Sequence, residues 1–200
     1  MRTHVQKMVS WCFPVLRQLR SIRHLVPVTT FQTLIVLLVL SMMDYGKAIL
    51  ASLPAYMFRH LQSVMNAAAR LIYGLHHSDH ISDALISLHW LRAQERARFK
   101  TAVLMYKATH GTAPSYLSQL DRVADLPGRR SLRSARTKRL LMPSVKLSTV
   151  GGQAFPVAGP TIWNSLPDNV ISAPSLSTVR QHLKAILFQA SFPDIITDPR

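Results

Sequence analysis

Six basic side chains fall within eleven consecutive positions in the second half of the chain. They are Arg129, Arg130, Arg133, Arg136, Lys138 and Arg139. A run of like charges repels itself and stays extended unless an anion neutralises it. The phosphates of RNA or DNA would neutralise the run, with an affinity that falls steeply as the salt concentration rises. The run therefore predicts a nucleic-acid contact, and the alternative is a solvated linker that binds nothing specific.

Two further sets of basic residues recur at the spacing of a helix face. The members of one set follow each other at intervals of four, four and seven residues: Arg92, Arg96, Lys100 and Lys107. They line one side of a predicted helix and form the second candidate contact, although a solvated helix face often has the same pattern. Arg17, Arg20 and Arg23 recur every three residues, on a side of the first predicted helix that drifts away from its apolar stripe.

The whole chain carries a large excess of positive charge. Its 24 Lys and Arg residues against 9 Asp and Glu residues give a formal net charge of +15, and arginine outnumbers lysine by 17 to 7. Arginine binds phosphate through two parallel N–H groups and stacks on bases, so the excess favours a nucleic-acid partner over acidic lipid or an acidic protein. The 200 residues, 48% of them hydrophobic, can build one domain or two small ones and do not have the composition of a disordered chain.

The sequence offers no group of residues with the spacing of an active site. Metal-dependent polymerases and nucleases need convergent carboxylates, and no two of the 9 acidic residues here are adjacent or one position apart. The nucleophile motif G-x-S-x-G and the phosphate-binding motif G-x-x-x-x-G-K-[ST] are both absent. We therefore predict that the chain is not an enzyme and uses no cofactor.

Four histidines lie close together in the sequence, so a zinc site has to be considered. They are His76, His77, His80 and His89. Structural zinc sites commonly use thiolates, whereas the single cysteine, Cys12, lies among the apolar residues Val9, Phe13 and Leu16. We predict a buried, unreactive thiol, and structural or surface histidines that hold no metal.

Apolar residues recur at helical spacing along much of the chain, and this pattern predicts helices. The longest are expected over residues 5–22, 30–43, 55–73, 92–110 and 175–188. Pro14 should kink or divide the first helix, and Gly74 should end the third. Shorter helices are expected between Gly46 and Pro54 and after the histidines.

The segment Leu25–Met43 carries no charged residue and has to be weighed as a membrane span. Its strictly apolar run, Leu34–Leu40, is short against the roughly 20 apolar residues that a span requires. Thr29 or Thr30 can cap a helix that starts within it. We predict a buried core helix here, and no clear signal peptide before it.

After residue 120 the composition changes. Residues 121–139 form a polar, basic linker, and residues 139–150 show the pattern of one or two short strands. The following stretch, 151–167, contains no charged residue, and its three glycines and three prolines predict turns. Phe155 and Trp163 lie in this stretch, where no positive charge surrounds them, so we expect them to pack in a core rather than to stack on bases.

These patterns together predict a mainly α fold. A helical, bundle-like region would cover residues 1–120, the basic linker residues 121–139, and a small α+β region residues 140–192.

Several long segments resemble one protein family, in the order in which that family has them. They are "LVLSMMDYGKAILASLP" (38–54), "LQSVMNAAARLIYG" (61–74), "LHWLRAQERARFKTAVLMYKATHGTAPSYL" (88–117), "GRRSLRSA" (128–135) and "GGQAFPVAGPTIWNSLPDNVISAPSLSTVRQHLKAILF" (151–188). The last four segments resemble the C-terminal part of the reverse transcriptases that LINE-type, non-LTR retrotransposons of animals encode, and the first resembles the segment that joins the polymerase thumb to that part.

The resemblance implies a parent protein that joins an endonuclease to a reverse transcriptase and copies its RNA at a nicked chromosomal target. Its palm, with the catalytic aspartates, would precede Met1, and no Tyr-x-Asp-Asp motif occurs in this chain. Residues 1–120 would correspond to the thumb and its connection, and would contact the template–primer duplex or the RNA of the element. No catalytic residue carries over to this region.

The combined prediction is a non-catalytic, intracellular fragment, in cytoplasm or nucleus, that binds RNA or DNA. The main contact would be the run 129–139 and the second contact the 92–107 face. Two alternatives stay open. The chain departs from the family pattern at Pro14, Gly46 and Arg92, as a decayed fragment without activity would, and its apolar helices would once have packed on the missing palm. In the other alternative, residues 25–43 anchor the protein in a membrane.

Overall fold

The computed structural model describes residues 2–44, 53–117, 120–123, 139–143 and 154–194. The chain divides into two compact units. The first comprises Met1–Gly46, Leu53–Gln94 and Phe188–Arg200, and the second comprises Lys47–Ser52 and Glu95–Leu187. Helices account for most of the described residues, so the predicted mainly α fold is confirmed.

The first unit begins with helix α1, Arg2–Ile22. Its buried side chains repeat at intervals of three or four residues and form one apolar stripe: Val5, Met8, Cys12, Leu16 and Leu19. Pro14 lies inside the helix on its exposed side, and α1 continues through it. Of the two expected effects of Pro14, a kink or a division, the division is absent, because water can satisfy a carbonyl that has lost its N–H partner on an exposed side.

A 3₁₀ turn, Arg23–Leu25, separates α1 from the uncharged segment. That segment forms α2, Val28–Ile35, a π-helical stretch, Val36–Leu40, and α3, Ser41–Asp44. The prediction that Thr29 or Thr30 caps this helix is wrong. Pro27 occupies the N-cap position, and its carbonyl accepts a hydrogen bond from the Phe31 N–H at 2.9 Å.

The apolar side of this segment packs in the core of the first unit, as predicted. Its buried side chains are Phe31, Ile35, Val39, Leu40 and Met43. Among the residues that the structure describes, no helix is long and apolar enough to cross a membrane.

Helix α4, Ala55–Tyr73, has the predicted bounds. The predicted packing stripe of Phe58, Leu61, Met65, Ala68 and Ile72 is buried. Gly74 ends the helix in the left-handed conformation, with φ 69° and ψ 30°, which a residue without a β-carbon adopts at no steric cost. The helix packs against α1. The short helix expected between Gly46 and Pro54 falls mostly outside the described residues, and Pro54 is the N-cap of α4.

Helix α5, Ser82–Ser87, follows the histidine-rich loop and buries Ala84 and Leu85. It ends with two hydrogen bonds typical of a Schellman motif, from the His89 N–H to the Ile86 carbonyl and from the Trp90 N–H to the Leu85 carbonyl.

The longest helix of the second unit is α6, Ala93–Thr109, whose first two residues belong to the first unit. Among the described residues that follow, the α-helices are α7, Phe155–Asn164, α8, Asp168–Ile171, and α9, Leu176–Ser191. Leu187 is the last residue of α9 in the second unit. The side chains of Met105, Trp163, Val170, Val179 and Leu183 are buried.

The expected β part of the C-terminal region is not found among the described residues. One antiparallel bridge joins Arg122 to Leu140. The side-chain amide of Asn164 satisfies the backbone of Leu140 on both sides, accepting from its N–H at 2.9 Å and donating to its carbonyl at 2.9 Å. Residues 144–150, where part of the strand pattern lies, are outside the described chain.

Phe155–Asn164 forms a helix where turns were expected. Pro156 lies in the first turn, where a helix needs no N–H donor. Gly159 is buried against the Met105 side chain, which a β-carbon would displace, so packing rather than a turn favours glycine there. Trp163 is 1% exposed, and the prediction that it packs in a core is therefore confirmed.

Candidate nucleic-acid interface

The structure describes one residue of the predicted basic run. Arg129, Arg130, Arg133, Arg136 and Lys138 lie outside the described residues, so the run as a nucleic-acid contact stays a prediction. Arg139 is exposed, and its carbonyl accepts a hydrogen bond from the Val123 N–H at 3.1 Å.

The residues of the second predicted contact, the 92–107 face, are divided between the two units. Arg96, Lys100 and Lys107 lie on α6 in the second unit, whereas Arg92 precedes the helix and belongs to the first unit. The Arg92 guanidinium carbon lies 5.3 Å from the centroid of the Phe192 ring, a cation–π contact. Its backbone N–H donates to the Ser191 hydroxyl at 3.3 Å. Arg92 thus has a packing role that its spacing in the sequence did not indicate.

A groove in the first unit gathers basic residues from distant parts of the sequence. It has a volume of about 800 Å³ and runs along α1, the 3₁₀ turn, the end of α4 and the loop that follows α4. Its basic side chains are Arg17, Arg20, Arg23, His24, Arg70, His76 and His77. We call this feature the arginine groove.

Two of its arginines are held by backbone carbonyls. The Nη2 of Arg23 donates to the carbonyl of Ile72 at 3.3 Å, next to Gly74. The Nε of Arg70 donates to the carbonyl of His76 at 3.2 Å, and its Nη2 donates to that of His77 at 3.2 Å. Each carbonyl positions a guanidinium group without removing its charge.

The arginine groove keeps its positive charge within the part of the chain that the structure describes. No Asp or Glu side chain lines it, and none of its four arginines forms an ion pair with a described carboxylate. The nearby Asp79 carboxylate accepts a hydrogen bond from the His76 N–H at 2.6 Å and so organises the loop. Charges of one sign that line a cleft focus the electrostatic field and raise the local concentration of anions.

The sequence pattern indicated only part of the arginine groove. The three-residue spacing of Arg17, Arg20 and Arg23 was visible, but it assigned no partner to them. Arg70 lies about fifty positions further on, on a helix whose pattern indicated only its buried stripe. The packing of α4 against α1 brings the two sets of arginines to one groove, and no local periodicity reports that contact.

The single cysteine and the clustered histidines were the other candidate functional residues. Cys12 is fully buried, and burial raises the pKa of its thiol to about 11, which is the inert thiol that was predicted. His76, His77 and His80 are exposed on the loop before α5. Among the described residues no three side chains of the metal-binding types converge.

No protein-family model, no curated protein and no solved structure matches the chain. The resemblance to the LINE-type reverse transcriptases therefore stays a prediction.

Proposed function

We propose that this chain is a non-catalytic RNA- or DNA-binding protein, corresponding to the C-terminal region of a LINE-type reverse transcriptase. The arginine groove is the observation that supports this proposal most directly. Its guanidinium groups are suited to phosphate because each presents a planar fork of N–H donors that matches the phosphate oxygens. The net charge of +15 supplies long-range attraction to the same kind of partner.

Binding carried by phosphate contacts should depend strongly on salt. Each neutralised phosphate of a single strand contributes a slope of about −0.7 to the dependence of log affinity on log salt concentration. We expect the purified protein to bind labelled RNA and DNA at about 50 mM salt and to lose most of that affinity at about 200 mM. If it binds neither nucleic acid at about 50 mM salt, the proposal is wrong.

The proposed absence of catalysis has its own measurement. A primed RNA template with deoxynucleotides and Mg²⁺ should be bound without being extended by the purified chain. Extension that persists after further purification would contradict the non-catalytic part of the proposal and leave the binding part standing.

An exposed apolar surface supports a second candidate, a structural fragment without activity. The side chains of Val36, Leu37, Leu38 and Met42 are 37%, 61%, 42% and 37% exposed. Exposed apolar patches of this kind mark surfaces that contact another protein or a membrane.

Three measurements distinguish the candidates. A structural fragment would self-associate in sedimentation experiments and bind no nucleic acid at low salt. Membrane attachment through residues 25–43 would instead make the protein co-sediment with vesicles after a high-salt wash. The proposed function predicts salt-sensitive binding to nucleic acid and release from vesicles by the same wash.

A further inference from the structure

We infer that the arginine groove binds a single nucleic-acid strand, with phosphates on its arginines and a base on Phe13. The inference rests on the proposed function and adds to it the site, the strandedness and the residue roles. Neither the charge nor the residue spacing of the sequence assigned this site.

The geometry of α1 places an aromatic ring and cationic side chains on one side of the helix. On α1, Phe13, Arg17 and Arg20 follow each other at intervals of four and three residues, and all three line the groove, as does His24 in the 3₁₀ turn. These intervals keep side chains on one face of a helix. A strand that follows this face meets the ring first and then successive positive charges.

Phe13 is 39% exposed and lines the groove. Aromatic side chains beside a positively charged groove are the platforms on which proteins that bind single strands stack bases. Trp163 fails this test because it is buried, whereas Phe13 combines exposure with surrounding charge.

Arg23 and Arg70 keep N–H donors for phosphate after their hydrogen bonds to backbone carbonyls have formed. In the described part of the chain, Arg23 uses Nη2, and Arg70 uses Nε and Nη2, to hold backbone carbonyls. A guanidinium group has five N–H donors, so the Nη1 donors of both residues stay available to a ligand. Arg17 and Arg20 also line the groove and are exposed. Donors that are already held in position lose less conformational entropy on binding, so binding costs less free energy.

The size of the groove favours a single strand over a duplex. Its volume of about 800 Å³ is within the range of sites that enclose small molecules and cofactors. A duplex keeps its bases stacked inside and offers only phosphates and groove edges to a helix surface. A single strand can offer both an unstacked base and its phosphates to one narrow groove.

The test compares two groove variants with a control variant. The control has the same net charge as the arginine variant. Arg17→Gln/Arg20→Gln removes two charges from the groove, and Phe13→Leu removes the ring while keeping an apolar side chain. Lys7→Gln/Arg59→Gln removes two charges from exposed positions that do not line the groove. Fluorescence anisotropy is measured with labelled oligo-U, oligo-dT and a duplex of the same length, and circular dichroism melting checks that each variant folds.

For the single strands we expect the arginine variant to lose at least tenfold in affinity and to lower the magnitude of the salt slope by about 1.4, from two phosphates. Phe13→Leu should lose roughly tenfold with an unchanged salt slope, because stacking releases no counterions. The control variant should lose less than threefold, and the duplex should bind more weakly than either single strand.

The outcomes separate the inference from the proposed function. Wild-type binding that both groove variants retain overturns the inference and leaves the proposed function standing. Tighter binding to duplex than to single strands, unaffected by Phe13→Leu, overturns the assignment of a single strand. Absence of wild-type binding to all three probes overturns both. Binding to vesicles containing phosphatidylserine but to no oligonucleotide, lost in the arginine variant, assigns the groove to a membrane and also overturns both.

Discussion

The guanidinium groups of Arg23 and Arg70 are fixed in position without being neutralised. Both donate to backbone carbonyls of the residues around Gly74, which is itself held in the left-handed conformation at the end of α4. Because a carbonyl carries only a partial charge, most of the positive charge remains for a ligand. The same short region thereby ends a helix, orders a loop and positions two cations.

Trp163 is the residue whose loss should cost the second unit most. Trp163→Ala removes a fully buried indole, and we expect the free energy of unfolding to fall by about 3–5 kcal/mol, measured by chemical denaturation. Ile162→Ala, at a half-buried neighbouring position, should cost less. A Trp163→Ala protein that keeps its melting temperature and loses only nucleic-acid affinity would show that the ring reads a base.

Burial of Cys12 should make the stability of the fold depend on alkaline pH. The thiol pKa is raised from 9.0 to about 11, so between these values the unfolded chain has lost a proton that the folded chain still holds. Stability should therefore fall as the pH rises through this window, and be unaffected by this group below it.

The comparison with Cys12→Ala isolates this effect from the titration of lysines and tyrosines. The wild-type advantage over the variant in chemical denaturation should be constant up to about pH 8 and shrink as the pH rises towards 11. An advantage that does not change over this range would contradict the shifted pKa. Alkylation of the native thiol should be much slower than that of the denatured chain.

At the scale of elements, α4 is the helix whose bounds the sequence predicted most accurately. Its apolar stripe and its terminal glycine are both local signals, and both correspond to the structure. Helix α7 was missed because glycine and proline are read as turn residues when their neighbours in space are unknown. Pro156 instead occupies the first turn, and Gly159 lies against Met105. The cap of α2 was missed because a proline carbonyl, rather than a threonine hydroxyl, begins that helix.

His89, two positions after the end of α5, has a strained backbone, and a substitution can relieve that strain. His89 has a φ of 52°, in the left-handed region where a β-carbon is unfavourable, yet its backbone completes the Schellman motif. His89→Gly should relieve this strain, so the glycine variant should be more stable than His89→Ala, which keeps the strain, by about 1 kcal/mol in thermal or chemical denaturation.

A matched variant accounts for the side chain of His89. The imidazole forms an edge contact with the Phe188 ring, with centroids 6.1 Å apart, and His89→Ala removes this contact while keeping the strain. We therefore expect the alanine variant to be less stable than wild type. A glycine variant no more stable than the alanine variant would show that backbone strain at this position is negligible.

At the scale of the whole molecule, the sequence by itself determined the charge, the helical class and most helix positions. These properties follow from composition, from the 3.6-residue period and from local caps, which act between neighbours along the chain. Tertiary structure decided which basic residues share a site. Arg17, Arg20 and Arg23 meet Arg70 because the apolar stripes of α1 and α4 pack together, and that packing depends on side-chain shape between residues far apart in sequence. The burial of Trp163 and the helical state of its Gly- and Pro-rich stretch were decided in the same way, by neighbours that the chain acquires only on folding.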